Sequence, residues 1–260
     1  MSTLYTAVIL LLGATDASPG DLSLEPLQRF SCAVSRGDIQ TEDVPVMRDP
    51  ELALRVVDRK PTALRKLDLE LRALLPEFEW PEGGAPVERD LHSVEDWASN
   101  YLAALGQGDL VGDTTPFMRF GWAPTFHPGL VITVVARDHQ YAVEIRQGSG
   151  PAGFLPGKLC RIERLVASAE KIEPLRRCLA GKQLWREEEP MAQLTSRDEP
   201  EVLCLDGARW FFEQRTSEGE ERRSSFTCER TERVEACGHA FYKLIPFEVL
   251  DETGKLRGLY

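Results

Sequence analysis

The hydrophobic pattern changes period along this chain. Between Pro61 and Pro76, apolar residues return every three or four positions, at Leu64, Leu67, Leu71, Leu74 and Leu75. Arg65, Lys66, Asp68, Glu70 and Arg72 fill most of the remaining positions. This is the stripe of an amphipathic helix, closed by Pro76. Just upstream, Asp49-Pro50 reads as an N-cap followed by proline at the first helical position. Residues 18–48 carry Pro19, Gly20, Pro26, Gly37 and Pro45 without a sustained period, and read as an irregular lead-in. After the turn-rich linker at 80–86, Ser93-Val94-Glu95-Asp96 has the form of a capping box. It opens a helix that carries Trp97, Tyr101, Leu102 and Leu105 on one face and ends at Gly106.

Beyond the loop at 106–113 the period falls to two. Leu130 to Ala136 is a β-branched run, and Tyr141, Val143 and Ile145 then alternate with Ala142, Glu144 and Arg146. Asp138 and His139 between them suit a tight antiparallel hairpin. A helix follows, with Ile172, Leu175, Cys178 and Leu179 inward and Gly181 at its end. Pro174 is costly inside a helix, so a start near Glu173 is expected, with Ser168 capping a separate turn. Residues 208–215 and 222–229 predict a second hairpin turning at 217–220, and Val234, Cys237, Phe241, Leu244 and Ile245 predict a last helix stopped by Pro246. The fold class is therefore α+β: two antiparallel hairpins with covering helices (ββαββα) in residues 111–260, after a mainly helical region at 18–110.

The N-terminus changes the picture of location. Ala7 to Leu12 is a short apolar run followed by small residues, with Thr15 and Ala17 suited to the −3 and −1 cleavage positions. Residues 1–17 read as a secretory signal peptide, which places the mature chain in the periplasm or outside the cell. No Lys or Arg precedes Arg29, so a buried first strand of a cytosolic protein is the competing reading. The run is too short for a membrane span. The chain has six cysteines, Cys32, Cys160, Cys178, Cys204, Cys228 and Cys237. They fit disulfides in an exported protein with many possible connectivities, or else buried thiols. With 31 basic and 42 acidic residues the net charge is −11, which repels nucleic acid and anionic lipid at long range.

The chemical signals are individually modest. Gly148, Gly150 and Gly153 spell G-x-G-x-x-G, but the preceding strand is the second arm of a hairpin, and Pro151 and Pro156 remove amide donors. A dinucleotide site needs a parallel βαβ unit opening a helix, so this loop reads as a hairpin exit on the path to Leu159 and the next helix. No cofactor is expected. The scattered histidines and the absence of a CxxC pair leave no metal site. His127, bracketed by Trp122, Phe126 and Pro128, could serve as a general base. Asp206-Gly207 reads as a turn launching a strand with Trp210, Phe211 and Phe212, whose aromatics suit burial or a ligand face. Glu144 and Glu213 on two strands could face one another as glycosidic chemistry needs, although nothing in the sequence sets their separation.

Arg119, Trp122, Pro124-Thr125-Phe126-His127-Pro128, Gly150, Gly153, Pro156-Gly157-Lys158-Leu159, Trp185, Asp206-Gly207-Ala208-Arg209-Trp210 and Glu213 follow one another in an order that resembles a group of bacterial, often exported proteins with no assigned activity. The stretch spans roughly half the chain. The resemblance implies an α+β domain and transfers no catalytic residue. Ligand-binding candidates are Arg119, Trp122, His127, Asp206 and Trp210. The expected function is a non-enzymatic exported module recognising a protein or cell-envelope ligand. A hydrolase using His127 with Asp206 or Glu213, and a cytosolic immunity-type interaction protein, are the alternatives.

Overall fold

The computed structural model describes residues 24–83, 94–107, 114–124, 127–137, 140–151, 157–185, 208–226 and 231–247. The leader reading at 1–17, the cap residue Ser93, the side chain of Trp97, and Cys204, Asp206 and Cys228 all lie outside that set.

Helices dominate the first third. The expected irregular lead-in is instead helical: α1 (Glu25–Arg36) accommodates Pro26 in its first turn, where no backbone donor is lost. Leu27, Phe30 and Ala33 face inward, and a 3-10 turn (Thr41–Asp43) leads to the short α2 (Pro45–Arg48). The sequence hid α1 because its inward stripe is broken by the buried polar residues Arg29 and Ser31. Next come α3 (Pro50–Val57) and α4 (Pro61–Leu74), each with proline in the first turn. Asp49 caps α3 as expected, accepting from the N–H groups of Glu51 at 3.0 Å and Leu52 at 3.3 Å. Leu64, Leu67 and Leu71 of α4 are buried, whereas Leu74 at the end of the stripe is exposed. These helices enclose a core of Leu27, Phe30, Val44, Val56, Leu67 and Leu71.

The rest is built on one sheet. α5 (Val94–Ala104) precedes β1 (Phe117–Pro124), β2 (Pro128–Arg137), β3 (Gln140–Pro151) and β4 (Leu159–Ala167). α6 (Ala169–Leu179), a 3-10 turn (Lys182–Leu184), β5 (Ala208–Arg215), β6 (Glu221–Phe226) and α7 (Glu232–Tyr242) complete the order. Both expected hairpins exist, as β2–β3 and β5–β6. Two strands were not anticipated. β1 pairs with β2 on one side and β5 on the other, so the sheet runs β4-β3-β2-β1-β5-β6, antiparallel throughout. β4 pairs with β3, so the glycine-rich stretch joins neighbouring antiparallel strands and does not lead into a helix. The helix expected near Glu173 begins at Ala169, and Pro174 is tolerated inside it.

The sheet is covered on both faces. On one, Met118, Phe120 and Trp122 of β1, with Ile132, Val143, Ile145, Trp210 and Phe212, meet Ile172, Leu175 and Leu179 of α6 and Val234, Cys237 and Phe241 of α7. On the other, Ala98, Tyr101, Leu102 and Leu105 at α5 lie over Ala123, Val131, Leu159 and Phe211. Two cysteine pairs stand at bridging separation: Cys32 of α1 with Cys160 of β4 (Cα–Cα 5.3 Å), and Cys178 of α6 with Cys237 of α7 (5.6 Å). The first bridge crosses the division expected at residue 111. Both point to an oxidising compartment. Among the described residues no helix is long and apolar enough to cross a membrane.

Two glycines are set by close approach. A Cβ on Gly121 of β1 would enter the ring of Phe211, its cross-strand neighbour on β5, and a Cβ on Gly238 of α7 would enter the Trp210 ring. Gly121→Ala should lower stability by about 1–3 kcal/mol through overpacking. Chemical denaturation should also show that pairing it with Phe211→Leu recovers part of the loss. Additive losses in the double variant would refute the steric account.

Candidate functional site

Polar residues in otherwise apolar strands converge on the α5 face. β1 reads Phe-Met-Arg-Phe-Gly-Trp, β2 Leu-Val-Ile-Thr-Val-Val and β5 Trp-Phe-Phe-Glu-Gln. Arg119, Thr133 and Glu213, the polar residues of these runs on the α5 side, fall at the same level. Register pairs Arg164 with Glu144, Glu144 with Thr133, Thr133 with Arg119, Arg119 with Glu213 and Glu213 with Arg223. The six side chains form one row across all six strands, from β4 to β6.

Hydrogen bonds make the row continuous. Arg164 Nε lies 2.7 Å from Glu144 Oε2, and Arg146 Nε donates to Glu144 Oε1 at 2.7 Å. Gln107, just after α5, donates from Nε2 to Glu144 Oε1 at 3.3 Å and accepts at Oε1 from Thr133 Oγ1 at 2.8 Å. Arg119 Nε donates to Thr133 Oγ1 at 3.2 Å, and its Nη1 to Glu213 Oε2 at 2.7 Å. Arg223 pairs with the other oxygen of Glu213. Arg146 Nη1 also donates to the carbonyls of Leu105 (2.8 Å) and Gly106 (2.6 Å), the acceptors left open where α5 ends.

Burial is graded along the row. The Arg119 and Glu213 side chains are 3% and 6% exposed, while Arg223 and Arg164 at the ends are 40% and 69% exposed. The central ion pair is thus desolvated, and it holds because each partner is hydrogen-bonded as well as charge-matched. Beside it the Phe117 ring lies between the guanidinium groups of Arg119 (5.2 Å to the ring centroid) and Arg215 (5.4 Å). Arg215 also donates from Nε and Nη2 to Glu221 Oε1, at 2.8 and 2.5 Å. Burial pushes the Glu144 carboxyl up, but the bonds from Arg146, Arg164 and Gln107 outweigh it and hold the group below its ordinary range. Burial alone raises the Tyr101 hydroxyl, which donates to the Trp122 carbonyl at 3.1 Å.

The candidate ligand residues separate. Arg119 sits at the centre of the row. Trp122 and Trp210 are buried on the opposite face, Trp122 against Tyr242 (ring centroids 6.3 Å) and Trp210 against Phe120 (5.4 Å). His127 is half-buried at the bend before β2. Glu213 is level with Thr133, six positions along β2 from His127, so strand rise alone separates the two by roughly 20 Å. Thr133 and Arg119 stand between Glu144 and Glu213, so three strand spacings put those carboxylates' backbones roughly 14 Å apart. Glycosidic chemistry needs carboxyls within about 10 Å, and each carboxylate here is engaged by arginine. Sequence reasoning named Arg119, Glu144 and Glu213 but missed Gln107, Thr133, Arg146, Arg164 and Arg223. The recoverable signal was Thr133, a lone polar residue inside an apolar run.

Two outcomes follow. Glu213→Leu should cost about 3–5 kcal/mol by leaving the buried Arg119 without its carboxylate, and Arg119→Met/Glu213→Leu should restore much of it; urea titrations check both. Because the folded-state pKa of Glu144 is depressed, its stabilisation is present above the ordinary glutamate pKa of about 4.3 and disappears as pH falls through the lower folded value. Glu144→Gln should therefore destabilise at pH 7, and urea titrations at decreasing pH should show the difference from the parent protein shrinking once the pH falls below the ordinary glutamate value.

Comparison with protein-family models, with curated proteins and with solved structures finds no match to this chain.

Proposed function

We propose that this protein is an exported, non-enzymatic binding module that recognises a protein or cell-envelope ligand from its outer rim, in the periplasm or outside the cell. The observation that carries the reading is the pair of cysteine bridges. One fastens α1 to β4 and the other fastens α6 to α7, so the layers around the sheet are covalently held in a way suited to an oxidising compartment. The same bridges weigh against the cytosolic immunity-type alternative.

The interior supports a scaffold role. Arg119, Trp122 and Trp210 are spent on packing and on charge matching, so a partner meets other groups. The ends of the row, Arg164 and Arg223, are exposed, and His127 is half-buried. The hydrolase alternative rests on His127 with Asp206, since Glu213 is distant along the sheet and already bound to two arginines.

Co-sedimentation of the purified, oxidised protein with isolated bacterial cell envelopes tests the proposal. Saturable binding that survives His127→Ala and weakens several-fold in Arg164→Glu/Arg223→Glu is expected. Absence of saturable binding, or an ester- or amide-cleaving activity abolished by His127→Ala, would overturn it.

A further inference from the structure

The hydrophobic residues of this molecule belong to separate cores. The cluster of α1 to α4 draws its members, including the partly buried Leu24, Val34, Leu52, Leu75 and Phe78, from residues 24–78. The two clusters that sandwich the sheet draw theirs from residues 98–247. Among the described residues, no apolar cluster joins the two sets.

What joins them is polar and covalent. α1 lies on β3 and β4 through Ser31 and Cys32. The Ser31 hydroxyl donates to the Ser149 carbonyl, and Cys32 bridges to Cys160. Around them Arg161 Nη2 donates to the Arg36 carbonyl at 2.7 Å. Lys158 lies 3.8 Å from Glu25 and 4.8 Å from the Trp80 ring centroid, with both charged side chains nearly half exposed. Such solvated pairs contribute little, and polar contact without a shared core is the character of an interface between units that move separately. The bridge differs in kind: it ties residues 128 positions apart and keeps α1 at high effective concentration over the sheet.

We propose that residues 24–83 form a helical module latched to the sheet by the Cys32–Cys160 bridge, and that opening this bridge lets the module leave the sheet while both units stay folded. The opening step is a thiol–disulfide exchange with a dithiol. The dithiol's two sulfurs join, two electrons and two protons pass to Cys32 and Cys160, and both become thiols. Both cysteines are fully buried, so a dithiol reaches the bridge through local fluctuation of the α1–β4 contact, and release of the module follows the exchange. Cys178–Cys237 lies within the sheet unit and stays outside the latch.

Hydrogen exchange on the full-length protein, oxidised parent against Cys32→Ser/Cys160→Ser, tests the latch. In the variant, amides of α1 and α4 should exchange as one block at least tenfold faster while β1, β2 and β5 keep their protection. Thermal unfolding should split into two transitions, and small-angle scattering should show a larger radius of gyration. One transition, with protection of α4 and β2 lost together, overturns the proposal, as does an α4 that exchanges like unfolded chain. Should the variant fail to fold, exchange of the oxidised parent at increasing sub-denaturing urea serves instead. Opening of 24–83 as a unit before the sheet supports the latch, and coincident opening refutes it. None of these readouts depends on envelope binding, so the latch and the binding role fail separately.

Discussion

The buried pair between Arg119 and Glu213 is the constraint around which this sheet is organised. β1 occupies the middle of six strands, and its arginine faces the α5 side in a protein interior where an unmatched charge is severely penalised. A carboxylate must therefore stand opposite it on β5, which Glu213 does at 2.7 Å. Slipping β5 by one residue would turn Glu213 into the aromatic layer beneath α6 and α7, and would bring Phe212 to face Arg119. The two hairpins are each set by their own turns. Their alignment against one another is set through β1, and the charge pair is the most discriminating contact along that seam.

From this pair the rest of the α5 face follows. Arg119 also donates to Thr133, Thr133 donates to Gln107, and Gln107 donates to Glu144, so the α5 end is held to the sheet by the network that fixes strand register. Arg146 reinforces the link by donating to the terminal carbonyls past α5 while holding Glu144. Above this polar level the contact becomes apolar, with Tyr101 edge-on to Phe211 at 6.1 Å and Phe211 filling the space over Gly121. Apolar burial supplies most of the attraction, and the network decides which of many apolar contacts is made.

Much of this architecture was legible because local signals agreed with it. The α4 stripe, the Asp49-Pro50 cap and the alternation in β3 are period and cap chemistry acting within one element. The two unread strands show where such signals stop. β1 is apolar toward both faces, with Arg119 and Gly121 at positions that only their cross-strand partners Glu213 and Phe211 explain. β4 carries Leu159, Ile162, Leu165 and Val166 at three- and four-residue steps, which imitate a helix, because its edge position leaves Val166 exposed and Arg161 and Glu163 on the outer part of a covered sheet. The candidate site was legible only in part for the same reason. Arg119, Glu144 and Glu213 could be named, yet that two strands, β2 and β1, lie between those carboxylates is a tertiary fact.

The row also bears on what kind of work the interior can do. A general acid or base must change protonation near working pH, and a guanidinium does not do so in proteins. Glu213 is ion-paired with two guanidinium groups, and Glu144 accepts from two more and an amide, which hold the Glu144 carboxyl below its ordinary range. A carboxylate held as Glu144 is makes a poor proton carrier and a good structural anchor. Exposure rises toward the two ends of the row, to 69% at Arg164 and 40% at Arg223, while each pairs with a glutamate. Substitutions at those ends leave the central pair, and with it the strand order, unchanged.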